Sequence, residues 1–319
     1  MTTTEPERTR TFAGAFDAIC ANVGSVVRGK DHVIRLAVTC LVAQGHLLVE
    51  DVPGVGKTTL AKALARSVKA RFGRVQFTPD LLPSDVLGST VWNQQDASFD
   101  FRPGPVFANL LLGDEINRAS PKTQSALLEA MAEEQVTVDG TTYDLPRPFM
   151  VIATQNPLEH QGTFPLPESQ LDRFLMRLSV GYPSREEELA LLREEDHDEL
   201  LGRLGAVASA ADVVRMSAHA TRVHVAPALA GYLVDLADRS RRSPTFALGM
   251  SPRAALGLLR AARVWAAAAG RDYVTPDDVK LLAAPVLAHR MVLAPEAQLR
   301  GLGAEDAVAD LLRSAPVPD

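Results

Sequence analysis

The chain reads as an α/β protein, with a parallel five-stranded sheet flanked by helices and an all-helical domain after it. Three observations predict this. A Gly-rich turn at 51–59 joins a short apolar run to a helical pattern. Four further apolar runs follow, most of them separated by helical periodicity. Beyond Pro183 strand signals nearly vanish while helix-start signals recur. At 319 residues the chain exceeds one ordinary hydrophobic core, which agrees with two domains.

Residues 1–10 are rich in Thr, Glu and Arg, lack the apolar run of a secretory signal and read as a flexible tail. The α/β core then covers 11–182 and the helical domain 183–319. Helical patterns occupy 12–27 and 31–44. The second is apolar on most sides through Val33, Ile34, Leu36, Ala37, Val38, Leu41 and Val42, so it should be buried. Candidate strands are 46–50, 74–78, 109–112, 149–154 and 174–180. Two hairpins break the alternation. Val136–Val138 faces Thr141–Tyr143 across Asp139-Gly140, a dipeptide suited to the positive φ of a tight turn, and Ser89–Asn93 faces Ser98–Arg102 around a polar turn. Five helices are expected after Pro183. Ser184 with Glu187 and Ser209 with Asp212 form capping boxes, and Ser251-Pro252 and Thr275-Pro276 place proline just after an N-cap.

Composition narrows the function classes. A net charge of -6 without a long Lys or Arg run opposes a surface built for bare nucleic-acid backbone. Charged residues such as Arg35, Arg263 and Lys280 interrupt the richest apolar stretches, so no bilayer-spanning segment is expected and the cytoplasm is the default. Cys20 and Cys40 lack a second thiol at metal-ligand spacing and read as buried free thiols. The seven histidines, His160 among them, are too scattered for a metal site, and His46 at a strand start reads as structural. Trp92 and Trp265 read as packing residues, although Trp92 on its hairpin could instead touch a partner.

The chemistry concentrates in three places. Pro53-Gly54-Val55-Gly56-Lys57-Thr58-Thr59 lies between a strand and a helix, as a phosphate-binding loop requires. Its N–H groups and the helix N-terminus would face phosphate oxygens, Lys57 would neutralise the β/γ-phosphates, and Thr58 would bind Mg2+. Asp51 stands where the motif has its first glycine. Downstream, Leu110–Leu112 leads through Gly113 into Asp114-Glu115, a Walker B pattern. There Asp114 would complete the Mg2+ site and Glu115 would orient and deprotonate the attacking water. A third strand ends at Gln155-Asn156-Pro157, where Asn156 could contact the γ-phosphate; Asn-Pro is equally a turn signal. Together these imply binding and hydrolysis of ATP.

These residues resemble the AAA+ ATPases and, more closely, their MoxR family. The resemblance rests on 101–107 (Phe-Arg-Pro-Gly-Pro-Val-Phe), 114–124 (Asp-Glu-Ile-Asn-Arg-Ala-Ser-Pro-Lys-Thr-Gln), Ala153-Thr154-Gln155-Asn156-Pro157 and 166–174 (Leu-Pro-Glu-Ser-Gln-Leu-Asp-Arg-Phe). It covers roughly residues 20–290. It implies that Asn156 is sensor 1, that Arg173 is an arginine finger reaching a neighbouring subunit's nucleotide, and that Arg253 is sensor 2 on the helical lid. From spacing alone, a surface salt bridge for Arg173 and a solvated helix-start arginine for Arg253 fit as well. The resemblance also implies a homo-oligomeric, hexameric ring and a chaperone-like role in maturing other proteins. Partners with a von Willebrand factor A domain and metal cofactor insertion belong to that expectation. Its two hairpins would face the pore or a partner. A nucleic-acid motor and a nucleotide-gated scaffold are the competing classes, the first opposed by the charge and the second by the presence of Glu115.

Overall fold

The computed structural model describes residues 11–157, 162–193 and 197–317. The tail expected at 1–10 and His160 lie outside them. In chain order the core contains α1 (Phe12–Gly24), α2 (Asp31–Val42), β1 (Leu47–Glu50), α3 (Lys57–Ser67), β2 (Phe72–Gln76), α4 (Pro83–Leu87), β3 (Gly88–Asn93) and β4 (Ser98–Pro103). It continues with β5 (Leu110–Asp114), a 3-10 turn at Ile116–Arg118, α5 (Pro121–Glu133), β6 (Gln135–Val138), β7 (Thr141–Asp144), β8 (Met150–Gln155), α6 (Glu168–Leu171) and β9 (Met176–Leu178).

The expected five-stranded sheet forms in the order β2-β5-β8-β1-β9, with every pairing parallel. All five strands therefore end at one edge. Leu110–Leu112 and Met150–Ala153 are buried on both faces, which is why they read as unbroken apolar runs instead of alternating ones. The boundaries differ in detail. β2 begins two residues earlier than expected because Phe72 pairs with Leu110, β5 runs on through Asp114, and only Met176–Leu178 of the run 174–180 is laddered. Both hairpins are present. β6–β7 pairs Val136 with Tyr143 and Val138 with Thr141, and β3–β4 pairs Ser89 with Arg102.

Beyond Pro183 lie α7 (Arg185–Arg193), α8 (His197–Arg203), α9 (Ala210–Ala220), α10 (Pro227–Arg242), β10 (Phe246–Leu248), α11 (Pro252–Ala268), α12 (Pro276–Leu287), β11 (Val292–Leu293), α13 (Pro295–Leu299) and α14 (Ala304–Ser314). The expectation of five helices in an all-helical domain is corrected to eight among the described residues, together with a small antiparallel β10–β11 ladder. Segments as short as the five residues of α13 hold too few turns for an apolar stripe to recur, so periodicity misses them. All four predicted N-caps form: Ser184 and Glu187 exchange bonds, Ser209 and Thr275 open capping boxes, and Ser251 caps α11. No helix among the described residues is long and apolar enough to cross a membrane.

Two contacts decide where the lid sits. The Arg66 guanidinium donates to Leu201 O, and the N–H groups of Val207 and Ala208 donate to Ser67 O at 2.9 and 3.1 Å. The chain thus runs back along α3 to the starting edge of the sheet, where α9 and α11 pack against α1 and α2 and α12 packs against β9. One apolar cluster includes Phe16, Ile19 and Leu41 together with Leu236, Leu258 and Val286. Trp265 is half-buried beneath Arg35, as packing requires. Trp92 is not a core residue: it is 51% exposed and meets Phe99 edge-on at 4.9 Å. Cys40 is buried, whereas Cys20 is only partly so; both are free thiols pushed up to about 12, chiefly by burial.

His46 is structural, as expected. It is buried, its Nδ1 accepts from Val151 N at 3.0 Å, and its Nε2 lies 3.0 Å from Met131 O, so the ring is neutral with its proton on Nε2. Burial pushes it down to about 4. His289 is pushed down to about 3 by burial and then by the Arg290 charge. Unfolded, both rings take up a proton near pH 6.5 and the folded rings do not, so stability is full above that pH and falls as pH drops. The expected loss is at most about 1.4 kcal/mol per pH unit for each ring. Melting temperatures measured from about pH 7.5 to 4.5 should fall, and a folded His46→Gln variant should show a shallower slope. An identical slope in that variant would contradict the assignment.

Candidate active site

The Gly-rich loop leaves the end of β1 and enters α3 at Lys57. Gly54 and Gly56 have φ of 84° and 90°, and a Cβ at either would meet nothing within 4 Å. They are required for backbone conformation, not for space, and they leave the loop's surface open. Lys57 Nζ donates to Asp51 O at 2.7 Å, bridging the two ends of the loop. Thr58 and Thr59 sit half-buried in the first turn of α3, where the helix N–H groups have no intrahelical partner.

The departure at Asp51 has a structural explanation. Its Oδ1 accepts from Val52 N at 3.1 Å, and its Oδ2 accepts from Gly181 N at 2.7 Å and Ser179 Oγ at 2.9 Å. The side chain ties the loop to the segment leaving β9. Burial alone would raise the carboxyl, but the hydrogen bonds from Gly181, Ser179 and neighbouring backbone N–H groups outweigh it and hold the group below the usual carboxylate range.

Asp114 and Glu115 lie at the end of β5, on the same edge of the sheet as the loop. Asp114 is buried; its Oδ2 accepts from Arg74 Nε at 2.8 Å and its Oδ1 from Thr154 Oγ1 at 3.3 Å. Glu115 turns into the left-handed region, φ 58°, a conformation costly for a residue with a Cβ. Its N–H is held by Thr154 Oγ1 at 3.0 Å. Its carboxylate receives Gln76 Nε2 at 2.7 Å and Arg118 Nε at 3.4 Å. Asn156 is buried just past β8, the strand between β5 and β1. Arg74 and Gln76 carry no local motif, and Thr154 is marked in the sequence only as part of the stretch 153–157, without its role of bridging Asp114 and Glu115 N. For Arg74 and Gln76 the signal is the pairing of β2 with β5, which sets Gln76 opposite Asp114, and for Thr154 it is the pairing of β8 with β5; no local pattern reveals either. A cavity of about 240 Å³ adjoins the loop, lined in part by Val26, Val27, Lys30 and Pro183, also unpredicted. A larger one, about 650 Å³ between α10 and α14, contains none of the predicted residues.

Comparison with known proteins agrees with this architecture. Residues 46–176 match the ATPase family associated with various cellular activities (AAA), and 238–311 match the AAA lid domain. Chaperone MoxR1 of Mycobacterium tuberculosis is 41% identical over 93% of this chain and 80% of its own length. The chain belongs to the MoxR family of AAA+ ATPases. YeaC of Bacillus subtilis is 47% identical over 93% of each chain. A crystal structure from Cytophaga hutchinsonii, of a protein assigned only provisionally as an ATPase, superposes with a TM-score of 0.88 at 36% identity, covering 97% of this chain and 96% of that one.

In this MoxR chain Arg173 and Arg253 stand apart from the other predicted residues. Leu175 N donates to His46 O, level with the start of β1, so Arg173 lies at the edge where the strands begin. The Gly-rich loop follows the opposite end of β1, about 15 Å or more away at the rise of a strand. The Arg173 guanidinium donates to Leu128 O on α5. Arg253 is exposed at the start of α11, whose capping Ser251 donates to Asp172 Oδ1 at 3.1 Å. Both arginines therefore share an edge, and it is not the edge of their own phosphate loop.

Proposed function

We propose that this chain hydrolyses ATP, with Mg2+ as its metal, in a site completed by a neighbouring copy in a hexameric ring, and that the cycle drives chaperone-like remodelling of another polypeptide. The observation that carries this is the gathering of Lys57, Thr58, Asp114, Glu115 and Asn156 at one edge of a single sheet, with Arg173 and Arg253 at the other. Such a molecule is self-complementary: the finger edge of one copy suits the loop edge of the next. The relative named Chaperone MoxR1 supports action on a partner protein. A partner with a von Willebrand factor A domain and a role in metal cofactor insertion extend the same reading. The free thiols Cys20 and Cys40 suit a reducing cytoplasm. The core at 11–182 and lid at 183–319 would be its working units, consistent with the two family matches.

In this reading the backbone of Pro53–Thr59 wraps the phosphates and the Lys57 ammonium neutralises the β/γ oxygens. The Thr58 hydroxyl and Asp114 carboxylate suit Mg2+ because both are hard oxygen donors at one strand edge. When bound, the ion would withdraw charge from the phosphate oxygens. Glu115 orients the attacking water and takes its proton, and Asn156 offers its amide to the γ-phosphate. Arg173 and Arg253 reach the same phosphates from the neighbouring copy.

Purified protein should release phosphate from ATP only with Mg2+. Lys57→Ala should lose about 10- to 100-fold in ATP affinity, the weight of a charge-assisted hydrogen bond. Light scattering at micromolar protein should show a ring at saturating ATP and Mg2+. Normal nucleotide affinity in that variant, or a monomer under those conditions, would contradict the proposal.

A further inference from the structure

The segment that carries Arg173 is held by the lid at two points. Arg290, just beyond α12, is 5% exposed and turns its guanidinium onto the Phe174 carbonyl, with Nε at 3.2 Å and Nη2 at 2.5 Å. His289 Nε2 reaches the same oxygen at 2.9 Å. The remaining nitrogen, Nη1, has no hydrogen-bond partner among the described residues and faces Asp172 Oδ1 at 3.6 Å. That oxygen also accepts from Ser251 Oγ, two residues before Arg253. Room for the guanidinium comes from Gly257 on α11, where a Cβ would stand 3.3 Å from Arg290 Nη1 and 3.0 Å from Leu175 Cδ1.

Burying an arginine costs several kcal/mol unless its donors meet oxygens, and here the donors converge on residues 172–174. Burial pushes Arg290 down to about 10, with Asp172 acting against it, so it is charged at neutral pH. His289 is neutral, which leaves Arg290 and Asp172 as a charge pair within the lid–core contact. Arg173 itself rests on Leu128 O, and its Nε is buried without a partner among the described residues. The turn is thus fixed through its neighbours in sequence, Asp172 and Phe174, while the finger's own guanidinium is only partly satisfied.

We propose that Arg290 and Asp172 are positioning residues: through them the lid sets the turn from which Arg173 reaches the neighbouring copy's nucleotide. This rests on the trans-acting finger proposed above. Its consequence is directional, because damage to the pair should impair the neighbour's pocket and spare the subunit's own. Asp172→Asn removes the charge at nearly constant shape, and Arg290→Lys keeps the charge but loses the forked donation. Each should bind ATP with unchanged affinity and lose about 10- to 100-fold in kcat, the scale expected when a catalytic group is misplaced by about an ångström. Asp172→Asn decides the matter if Arg290→Lys lowers the melting temperature.

Mixed rings supply the readout that a merely structural defect would not move. Asp172→Asn mixed with Lys57→Ala should recover activity, since the intact pocket of the first meets the intact finger of the second. Asp172→Asn mixed with Arg173→Ala should not recover, since neither copy offers a well-held finger. Wild-type turnover in both single variants would overturn the proposal, as would recovery with Arg173→Ala but not with Lys57→Ala. Arg173→Ala mixed with Lys57→Ala is the control. If it stays silent, the trans finger fails and the proposal with it; if it recovers while Asp172→Asn with Lys57→Ala does not, the positioning role alone fails.

Discussion

Arg173→Ala is expected to bind ATP normally and to lose roughly 10³- to 10⁵-fold of turnover, the range for an arginine supplied to a phosphoryl-transfer site. Charge spreads over the γ-phosphate oxygens as the bond to the leaving group breaks, and a guanidinium held there stabilises that arrangement more than the ground state. Binding should survive because Arg173 lies at the edge of the sheet where the strands begin, away from its own loop. Among the described residues the Arg173 side chain makes one hydrogen bond, to Leu128 O, so truncation should cost little stability. Single-turnover kinetics beside nucleotide titration would separate the two effects. A large loss of affinity with unchanged chemistry would mean that Arg173 supports the fold or the ring instead.

Glu115→Gln should also retain ATP and stall, with turnover falling about 10²- to 10⁴-fold, as for removal of a general base. The amide keeps the size of the side chain and can still accept from Gln76, which now donates to Glu115 Oε2 at 2.7 Å. What disappears is the proton acceptor and the charge facing Arg118. The left-handed backbone at Glu115 should persist, because Thr154 holds its N–H from β8. Phosphate release under saturating ATP and Mg2+ measures the effect, and turnover near wild type would remove Glu115 from the chemistry.

The parts of this site legible in the sequence were those whose geometry is local. Strand, glycines, Lys57 and Thr58 are adjacent in the chain, and an apolar strand ending in Asp114-Glu115 marks its own carboxyl end. Asp51 was visible only as a departure, because Ser179 and Gly181, the groups it binds, lie some 130 residues onward. Arg74 and Gln76 gain their meaning from the pairing of β2 with β5, and sheet order is not written in either strand. The lid's helix starts were readable from Ser209, Ser251 and Thr275, each an N-cap acting on its own first turn. Its position was not. That depends on the return path along α3, fixed by contacts of Arg66 and Ser67 with residues 201–208. Without that path, nothing in the residues around Arg253 shows that its helix start meets the segment carrying Arg173 and does not lie above its own phosphate loop.

The most direct test of a site shared between copies mixes two inactive proteins, Arg173→Ala and Lys57→Ala, after subunit exchange has been verified by co-purification of differently tagged chains. The first contributes intact pockets and the second intact fingers, so some interfaces in mixed rings combine both. ATP turnover should return and rise with the fraction of mixed rings. Verified mixed rings that stay inactive at every ratio would contradict the shared site and return Arg173 to a structural role.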